Sequence, residues 1–140
     1  NIVVKNRFEG YEDVVHGGIV MGILDTIMWY AIFMKTKRIC MTRHIQMDFM
    51  KPVMCNTRYR AKGQYIGARD KDVFVSGWME DENGETCAKL TGIFREAKDL
   101  PVAEFMSLFD FSRTSPEIKE FFLSLLDDEK EEEGRLKVKG

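Results

Sequence analysis

The chain has 140 residues, of which 44% are hydrophobic and 31% charged, and its net charge at pH 7 is −2. These values are typical of one globular domain with a single core. They exclude a collagen-like or low-complexity chain, a disulfide-stapled mini-protein and a strongly basic nucleic-acid-binding protein. Residues 35–71 nevertheless carry ten basic and two acidic side chains, which indicates either a surface for an anionic ligand or a solvated basic face.

The first quarter of the chain predicts a strand end, a polar loop and one long apolar helix. The strand end covers residues 2–4 and the loop residues 7–15, and the helix runs from Gly17 to about Lys35. Its first eighteen residues contain a single charge, at Asp25, and this length approaches that of a membrane span. Because a central aspartate disfavours insertion into a bilayer, we expect a buried core helix and no membrane span.

Four strands are predicted to follow the helix, over residues 39–49, 57–66, 73–80 and 85–96. The first alternates with a period of two that is broken only at Arg43, and it places one apolar set on a single face: Ile39, Met41, Ile45, Met47 and Phe49. Residues 67–72 predict a polar turn, and residues 81–84 a hairpin. The strands form an antiparallel sheet that must curl around the apolar helix, unless a second copy covers it.

Residues 101–140 are predicted to form a C-terminal helical extension, separate from a domain over residues 1–100. Ser115 and Pro116 are typical of a helix start, and an apolar stripe follows them at helical spacing: Ile118, Phe121, Phe122, Leu125 and Leu126. The acidic run over residues 127–133 is expected to be a solvated tail.

Asp25 is the residue that most strongly suggests chemistry, because a carboxylate within an apolar helix is costly unless it is paired, protonated or used. It is a candidate general base or nucleophile; alternatively, it caps a loop or pairs with a buried cation. Three aromatic residues after it either line an aryl pocket or belong to the core: Trp29, Tyr30 and Phe33.

The segment His16-Gly17-Gly18 lies where the helix begins. The first N–H groups of a helix have no partner within it, and glycines allow another atom to approach them closely. Such a site can hold an oxyanion or polarise a carbonyl group, whereas His16 is either structural or functional.

Other catalytic motifs are absent from the sequence. There is no Cys/His cluster with metal-ligand spacing, no serine nucleophile elbow and no phosphate-binding glycine loop, so we expect neither a metal nor a separate cofactor. The three cysteines are widely spaced and are expected to be reduced, as in a cytoplasmic protein: Cys40, Cys55 and Cys87.

Three segments resemble the PaaI-like superfamily of hot-dog-fold acyl-CoA thioesterases: FEGYEDVVHGGIVMGILDTIMWYAI, TRHIQMDFMKPV and GETCAKLTGIFRE. The resemblance covers about residues 7–96. Its most specific element is HGG with an aspartate nine residues after the histidine, here His16 and Asp25. The second is a threonine ten residues before the proline that ends the next strand, here Thr42 and Pro52. The resemblance implies an α+β hot-dog fold, in which a curled antiparallel sheet wraps around the helix and two copies pair edge to edge.

The same resemblance implies an enzyme that hydrolyses an acyl-CoA thioester to the free acid and CoA. The Gly17 N–H would polarise the thioester carbonyl, and Asp25 of the other subunit would activate water or attack directly. Thr42 would help to hold the water or the acid, with His16 also in the catalytic set. CoA, present only as part of the substrate, would lie along the strand after the helix and the next hairpin: Gly18, Phe49, Met50, Lys51, Gly67, Arg69, Lys71 and Arg95. The implied protein partner is a second copy, in a homodimer or a dimer of dimers.

The sequence departs from the family pattern at two places. Relatives often carry Asn or Gln six residues before the histidine, where this chain has Gly10, and the pattern extends before Ile2, so an N-terminal strand is expected to be missing here. Two other functions remain open: a non-catalytic acyl-CoA-binding hot-dog protein, and a hot-dog dehydratase or hydratase. A pure binder has no need of a buried carboxylate, and a dehydratase would need a histidine beside an acid, for which His44 is the only other candidate.

Overall fold

The computed structural model describes residues 1–97 and Pro116. After a short strand and a 3₁₀ helix over Asn6–Phe8 come one long helix and four long strands. Their bounds are β1 Ile2–Val3, α1 Gly17–Thr36, β2 Cys40–Phe49, β3 Arg58–Arg69, β4 Asp72–Glu80 and β5 Thr86–Glu96. The predicted C-terminal extension over residues 101–140, with its apolar stripe and acidic tail, lies outside the described residues apart from Pro116.

Helix α1 begins and ends where local chemistry sets its bounds. At its start the side chain of His16 is the N-cap: its Nδ1 accepts a hydrogen bond from the Gly18 N–H at 2.9 Å. At its end Lys37 adopts a left-handed conformation (φ 58°), and its N–H donates to the Phe33 carbonyl at 2.8 Å. The predicted helix is therefore confirmed to within one residue of its expected end.

The five strands form one antiparallel sheet in the order β1-β3-β4-β5-β2. The sheet curls around α1, which contacts β2, β3, β4 and β5. The helix approaches the sheet most closely over Gly63 and Gly77, which are paired in register. A Cβ added to Gly77 would lie 2.9 Å from Met28 Cγ, and one added to Gly63 would lie 3.0 Å from the Ile27 carbonyl oxygen. Only residues without side chains fit at these two positions.

One face of α1 is buried against the sheet. Val20, Leu24, Met28 and Ile32 recur every four residues and are at most 1% exposed, and they pack against buried side chains of β4 and β5: Val73, Val75, Met79, Leu90 and Phe94. Other apolar residues of the helix are only partly covered, among them Ile19, Met21, Ile23 and Ile27. By length and composition α1 would also qualify as a membrane span, a test that the core helix of a soluble protein passes equally.

Two details of the predicted sheet were wrong. The turn predicted over residues 67–72 is confined to Asp70 and Lys71, because β3 continues to Arg69 after a register shift between Tyr65 and Gly67. Met41 does not share the face of the other apolar residues of β2.

The reason for the second error is a register shift between Thr42 and His44. This shift reverses the alternation before Arg43, so that Cys40 is buried and Met41 is 69% exposed. The break in the sequence pattern at Arg43 is thus a real irregularity of the strand.

Candidate active site

The start of α1 presents one backbone N–H without a partner. The Gly18 N–H is taken by His16 Nδ1, and the N–H groups of Ile19 and Val20 donate to the His16 carbonyl. Within residues 1–97, the Gly17 N–H has no hydrogen-bond acceptor. The geometry therefore separates the two predicted glycines: Gly17 can bind an oxyanion, whereas Gly18 serves the helix cap. The side chain of His16, predicted as catalytic, forms this cap.

The loops around Gly17 are fixed by backbone hydrogen bonds. The Val15 N–H donates to the Val53 carbonyl at 2.8 Å, and the His16 N–H donates to the Phe8 carbonyl at 2.9 Å. After β2, the N–H groups of Met50 and Lys51 both donate to one carbonyl of β5, at 2.8 and 3.0 Å. The end of β2 is thereby held beside the start of α1.

A mostly apolar cavity of about 510 Å³ opens between these loops. Four predicted site residues line it together with the unpartnered N–H of Gly17: His16, Phe49, Met50 and Lys51. The Phe49 ring lies over Gly17, since a Cβ added there would be 3.2 Å from the Phe49 Cζ. The ammonium of Lys51 is ion-paired with Glu85 and lies 3.9 Å from Asp81, so it is already engaged with acids of the β4–β5 loop.

Two turns further along α1, the Asp25 carboxylate meets Thr42 of β2. The Thr42 hydroxyl donates to Asp25 Oδ1 at 2.6 Å, a short bond of the kind that a charged acceptor favours. Asp25 is half-buried, and no cation among residues 1–97 forms an ion pair with it. The alternative that Asp25 neutralises a buried base is therefore not supported, and its Oδ2 oxygen is left for another partner.

Gly17 and Asp25 of one protomer are too far apart to act on one small group. Asp25 lies eight positions after Gly17, which is about 12 Å along the axis of α1. The sheet also separates the two groups. Thr42, which binds Asp25, pairs with Phe94, and Phe49, which lies over Gly17, pairs with Ala88. These two positions are about 20 Å apart along β5. One chain thus carries two half-sites, the unpartnered N–H in an apolar cavity and the hydroxyl-bound carboxylate.

The predicted CoA-binding residues also divide between distant places. Arg69, Lys71 and Arg95 line a second cavity of about 630 Å³ at the β3–β4 turn, and Gly67 pairs with Phe74 beside it. Gly18 instead lies on a groove along α1 with neighbouring apolar residues. The basic residues at the turn are on the Phe94 end of β5, nearer to Thr42 than to the cavity at Gly17.

Comparison with known proteins assigns the family. A sequence model of the thioesterase superfamily matches residues 12–88, more than half of the chain. The chain belongs to the thioesterase superfamily. The match spans both half-sites, from the loop before His16 to the first residues of β5.

Similar solved structures show that this superfamily member has the hot-dog fold. A Bacillus halodurans protein solved with CoA is 25% identical, with a TM-score of 0.61 over 68% of each chain. The E. coli PaaI protein, from the phenylacetic acid degradation operon, is 17% identical, with a TM-score of 0.63 over 67% of this chain and 71% of its own. An uncharacterized Schizosaccharomyces pombe protein is 25% identical over 96 residues, which are 65% of this chain and 55% of its own length. The predicted fold and family are confirmed.

Several residues that line the cavity at Gly17 were not found by sequence reasoning, among them Tyr11, Val14 and Val15 of the loop before α1. Loop packing of this kind leaves no periodic signal. A Cβ on Gly10 would lie 3.3 Å from the His16 Cα, so this position is tightly packed against the helix cap.

The cysteines are poor candidates for a nucleophile. Burial, and secondarily the Glu96 carboxylate, raise the pKa of the Cys40 thiol to about 11. Burial also raises the pKa of the Cys55 and Cys87 thiols, so all three thiols are protonated at neutral pH.

No group of three His, Cys, Asp or Glu side chains among the described residues is arranged to hold a metal ion. Of the three aromatic residues predicted to line an aryl pocket or the core, Phe33 is buried and Trp29 stacks on it at 5.0 Å, whereas Trp29 and Tyr30 are partly exposed.

Proposed function

We propose that this chain hydrolyses acyl-CoA thioesters to a free acid and CoA. The observation that carries the proposal is the unpartnered Gly17 N–H at the edge of an apolar cavity, in a chain of the thioesterase superfamily. A helix N-terminus favours developing negative charge, and an apolar cavity strengthens the interaction by excluding water. The CoA bound to the similar Bacillus halodurans protein supports CoA as the leaving group.

The two half-sites supply the two functions that thioester hydrolysis needs. The Gly17 N–H donates to the carbonyl oxygen and stabilises the negative charge that forms there. Asp25 Oδ2 accepts a proton from a water molecule, which attacks the carbonyl carbon while Thr42 holds Oδ1. The tetrahedral intermediate then expels the CoA sulfur, which takes up the proton from Asp25. Both functions use groups of the protein, so the proposed reaction needs no cofactor beyond the CoA of the substrate.

The distance within one protomer supports a site that is shared between two copies. Gly17 and Asp25 lie about 12 Å apart along α1, so the thioester carbonyl bound at Gly17 would meet Asp25 of the partner subunit. Two features favour such a homodimer. β2 is a ten-residue edge strand, which needs a partner or protection, and several apolar residues of α1 are only partly covered by the chain's own sheet.

The runner-up functions are less well supported. A dehydratase would need a histidine beside the acid, but His44 pairs with Ile93 on the face of the sheet opposite to α1. A non-catalytic acyl-CoA-binding protein would not require the Thr42–Asp25 hydrogen bond. Binding without thiol release is therefore an outcome of the experiment that follows rather than a second proposal.

Mixed dimers of two disabled variants test the proposal directly. Asp25→Asn removes the base and Gly17→Pro removes the N–H, and the two forms, carrying different tags, are co-expressed and purified as mixed dimers. Thiol release from a panel of acyl-CoA thioesters is then measured for wild type, each homodimer and the mixed dimer. We expect about half of the wild-type rate from the mixed dimer, because one of its two shared sites is intact, and little from either homodimer.

Each other result of this experiment has a definite meaning. A mixed dimer as inactive as its parents would show that Gly17 and Asp25 act within one protomer. A wild-type protein that binds the thioesters and releases no thiol from any of them would contradict the proposed hydrolysis and favour a binding protein.

The basic residues at the β3–β4 turn are proposed to bind the phosphates of CoA. Neutralising Arg69 and Lys71 with glutamine should raise KM for acyl-CoA by about 2- to 30-fold, since exposed charge pairs are each worth about 0.2–1 kcal/mol. The effect should shrink at high salt. The matched control replaces Arg58 and Arg60, which lie elsewhere on the sheet, and should leave KM unchanged. Equal KM values for the two double variants would refute this assignment.

A further inference from the structure

Strand β2 contains one residue more than its partner at Arg43. Thr42 pairs with Phe94 and His44 with Ile93, so β2 advances by two residues where β5 advances by one. This is the definition of a β-bulge, a feature that redirects a side chain or bends a strand. The bulged residue itself is Arg43.

The bulge decides which face of the sheet Thr42 occupies. Beyond it, Ile45 pairs with Gly92, and an uninterrupted ladder would place Arg43 opposite Phe94. Arg43 would then point towards α1, and Thr42 would point outwards. With the bulge, Thr42 itself lies opposite the fully buried Phe94, on the helix side, where its hydroxyl reaches Asp25. The Thr42–Asp25 hydrogen bond therefore depends on a one-residue register shift.

An ion pair on the outer face holds the bulged residue. Arg43 Nη1 lies 3.1 Å from Asp72 Oδ2 and donates a hydrogen bond to it. Asp72 is the first residue of β4, and its Oδ1 lies 3.5 Å from Arg95 Nε. The guanidinium of Arg43 thus reaches across β5 to a carboxylate, and turning it to the helix side would remove this partner.

We infer that Arg43 and Asp72 are positioning residues for the reaction: their ion pair keeps the β2 bulge, and the bulge turns the Thr42 hydroxyl towards Asp25. Neither residue touches Asp25 or the cavity at Gly17, whereas Asp72 lines the cavity at the β3–β4 turn beside Arg95. The inference rests on the proposed function only where the effect of a variant is measured as kcat. The register of β2 can be observed without substrate.

Arg43→Leu is the direct test, since a leucine at this position cannot form the ion pair with Asp72 that we infer to hold the bulge. We expect kcat to fall about 10- to 100-fold, as for loss of the Thr42 hydroxyl itself, with KM nearly unchanged. The double variant with Arg43→Leu and Thr42→Ala should have the same kcat as Thr42→Ala alone, because both substitutions remove the same Thr42–Asp25 hydrogen bond. Arg43→Lys keeps an outward cation and should restore most of kcat.

The matched control is Lys62→Leu, which breaks another outer-face ion pair, that of Lys62 with Glu80 at 3.0 Å. The exposure of the Lys62 side chain (46%) is close to that of Arg43 (47%), and its loss should leave kcat unchanged. If Arg43→Leu does not fold, Asp72→Asn removes the same ion pair and should give a kcat between those of wild type and Thr42→Ala. Only kcat is compared for this variant, because Asp72 lines the cavity proposed for the CoA phosphates.

Crystal structures of wild type and Arg43→Leu provide the readout that needs no activity. We expect the variant to pair position 43 with Phe94 and to lose the Thr42–Asp25 hydrogen bond. A variant that keeps the bulge and that hydrogen bond, or one whose kcat is within twofold of wild type, overturns the inference. A wild-type protein without thioesterase activity would refute the proposed function alone, and the register of the variant would still decide the role of Arg43.

Discussion

Replacing Asp25 with asparagine is expected to lower kcat by about two to four orders of magnitude, with little change in KM. The substitution keeps the shape of the side chain but removes its ability to accept a proton from water. Thr42 occupies Oδ1, so the base function falls to Oδ2, the position at which asparagine would present its NH₂ group. Thr42→Ala should cost less, about 10- to 100-fold, because it loosens the carboxylate without removing it. Steady-state thiol release measures both values.

The control for this prediction is Asp48→Asn, the same chemical change at an exposed position of β2. It should leave kcat and KM at their wild-type values. An Asp25→Asn enzyme with near-normal turnover would refute the role of the carboxylate. Single turnover in ¹⁸O-labelled water tests for a nucleophile: we expect label in the acid at the first turnover. Direct attack by Asp25, followed by attack of water at the aspartyl carbon of the resulting anhydride, would instead transfer an unlabelled carboxylate oxygen to the acid first.

Gly17→Pro is expected to lower kcat/KM by about 10²–10³, the usual effect of removing one oxyanion donor. Proline lacks the N–H, yet it is well tolerated at the first position of a helix. The backbone before it is suitable, since His16 has a ψ of 132°, as a residue before proline requires. The variant should therefore keep its fold and lose only the proposed donor, which thermal unfolding can verify.

Gly17→Ala is the control, because it adds a Cβ but keeps the N–H. Its methyl group would meet the Phe49 ring at 3.2 Å, and this ring is 55% exposed and free to move aside. We expect Gly17→Ala to retain most of kcat/KM. Equal activities for the proline and alanine variants would show that the Gly17 N–H takes no part in the reaction.

The helix and the strands could be predicted from the sequence because each carries a strong periodic signal. An eighteen-residue apolar run allowed only a core helix or a membrane span, and the alternation in β2 and β3 marked half-buried strands. The contact of Asp25 with Thr42 was different. It joins residues seventeen positions apart on two elements, and only the family resemblance pointed to Thr42.

The face of Thr42 could not be predicted because periodicity assumes an uninterrupted strand. One extra residue at Arg43 reverses every side chain before it, and the outward ion pair with Asp72 that accompanies it lies two strands away. Counting charges along the sequence likewise could not predict the ion pairs of Lys51. The sequence showed a base within a basic stretch, but not that Glu85 and Asp81 of the β4–β5 loop already pair with it.

The glycines beneath α1 have a consequence for how the proposed dimer would respond to damage in its core. Each helix would supply its first residue to one site and its middle to the other. A side chain at Gly77 would meet Met28 and the Leu24 carbonyl oxygen, at 2.9 and 3.3 Å, and would push the helix away from the sheet. That single displacement would misplace a donor in one site and a base in the other. A substitution far from the substrate would thus impair both sites together, and no dimer would remain with one site at full activity.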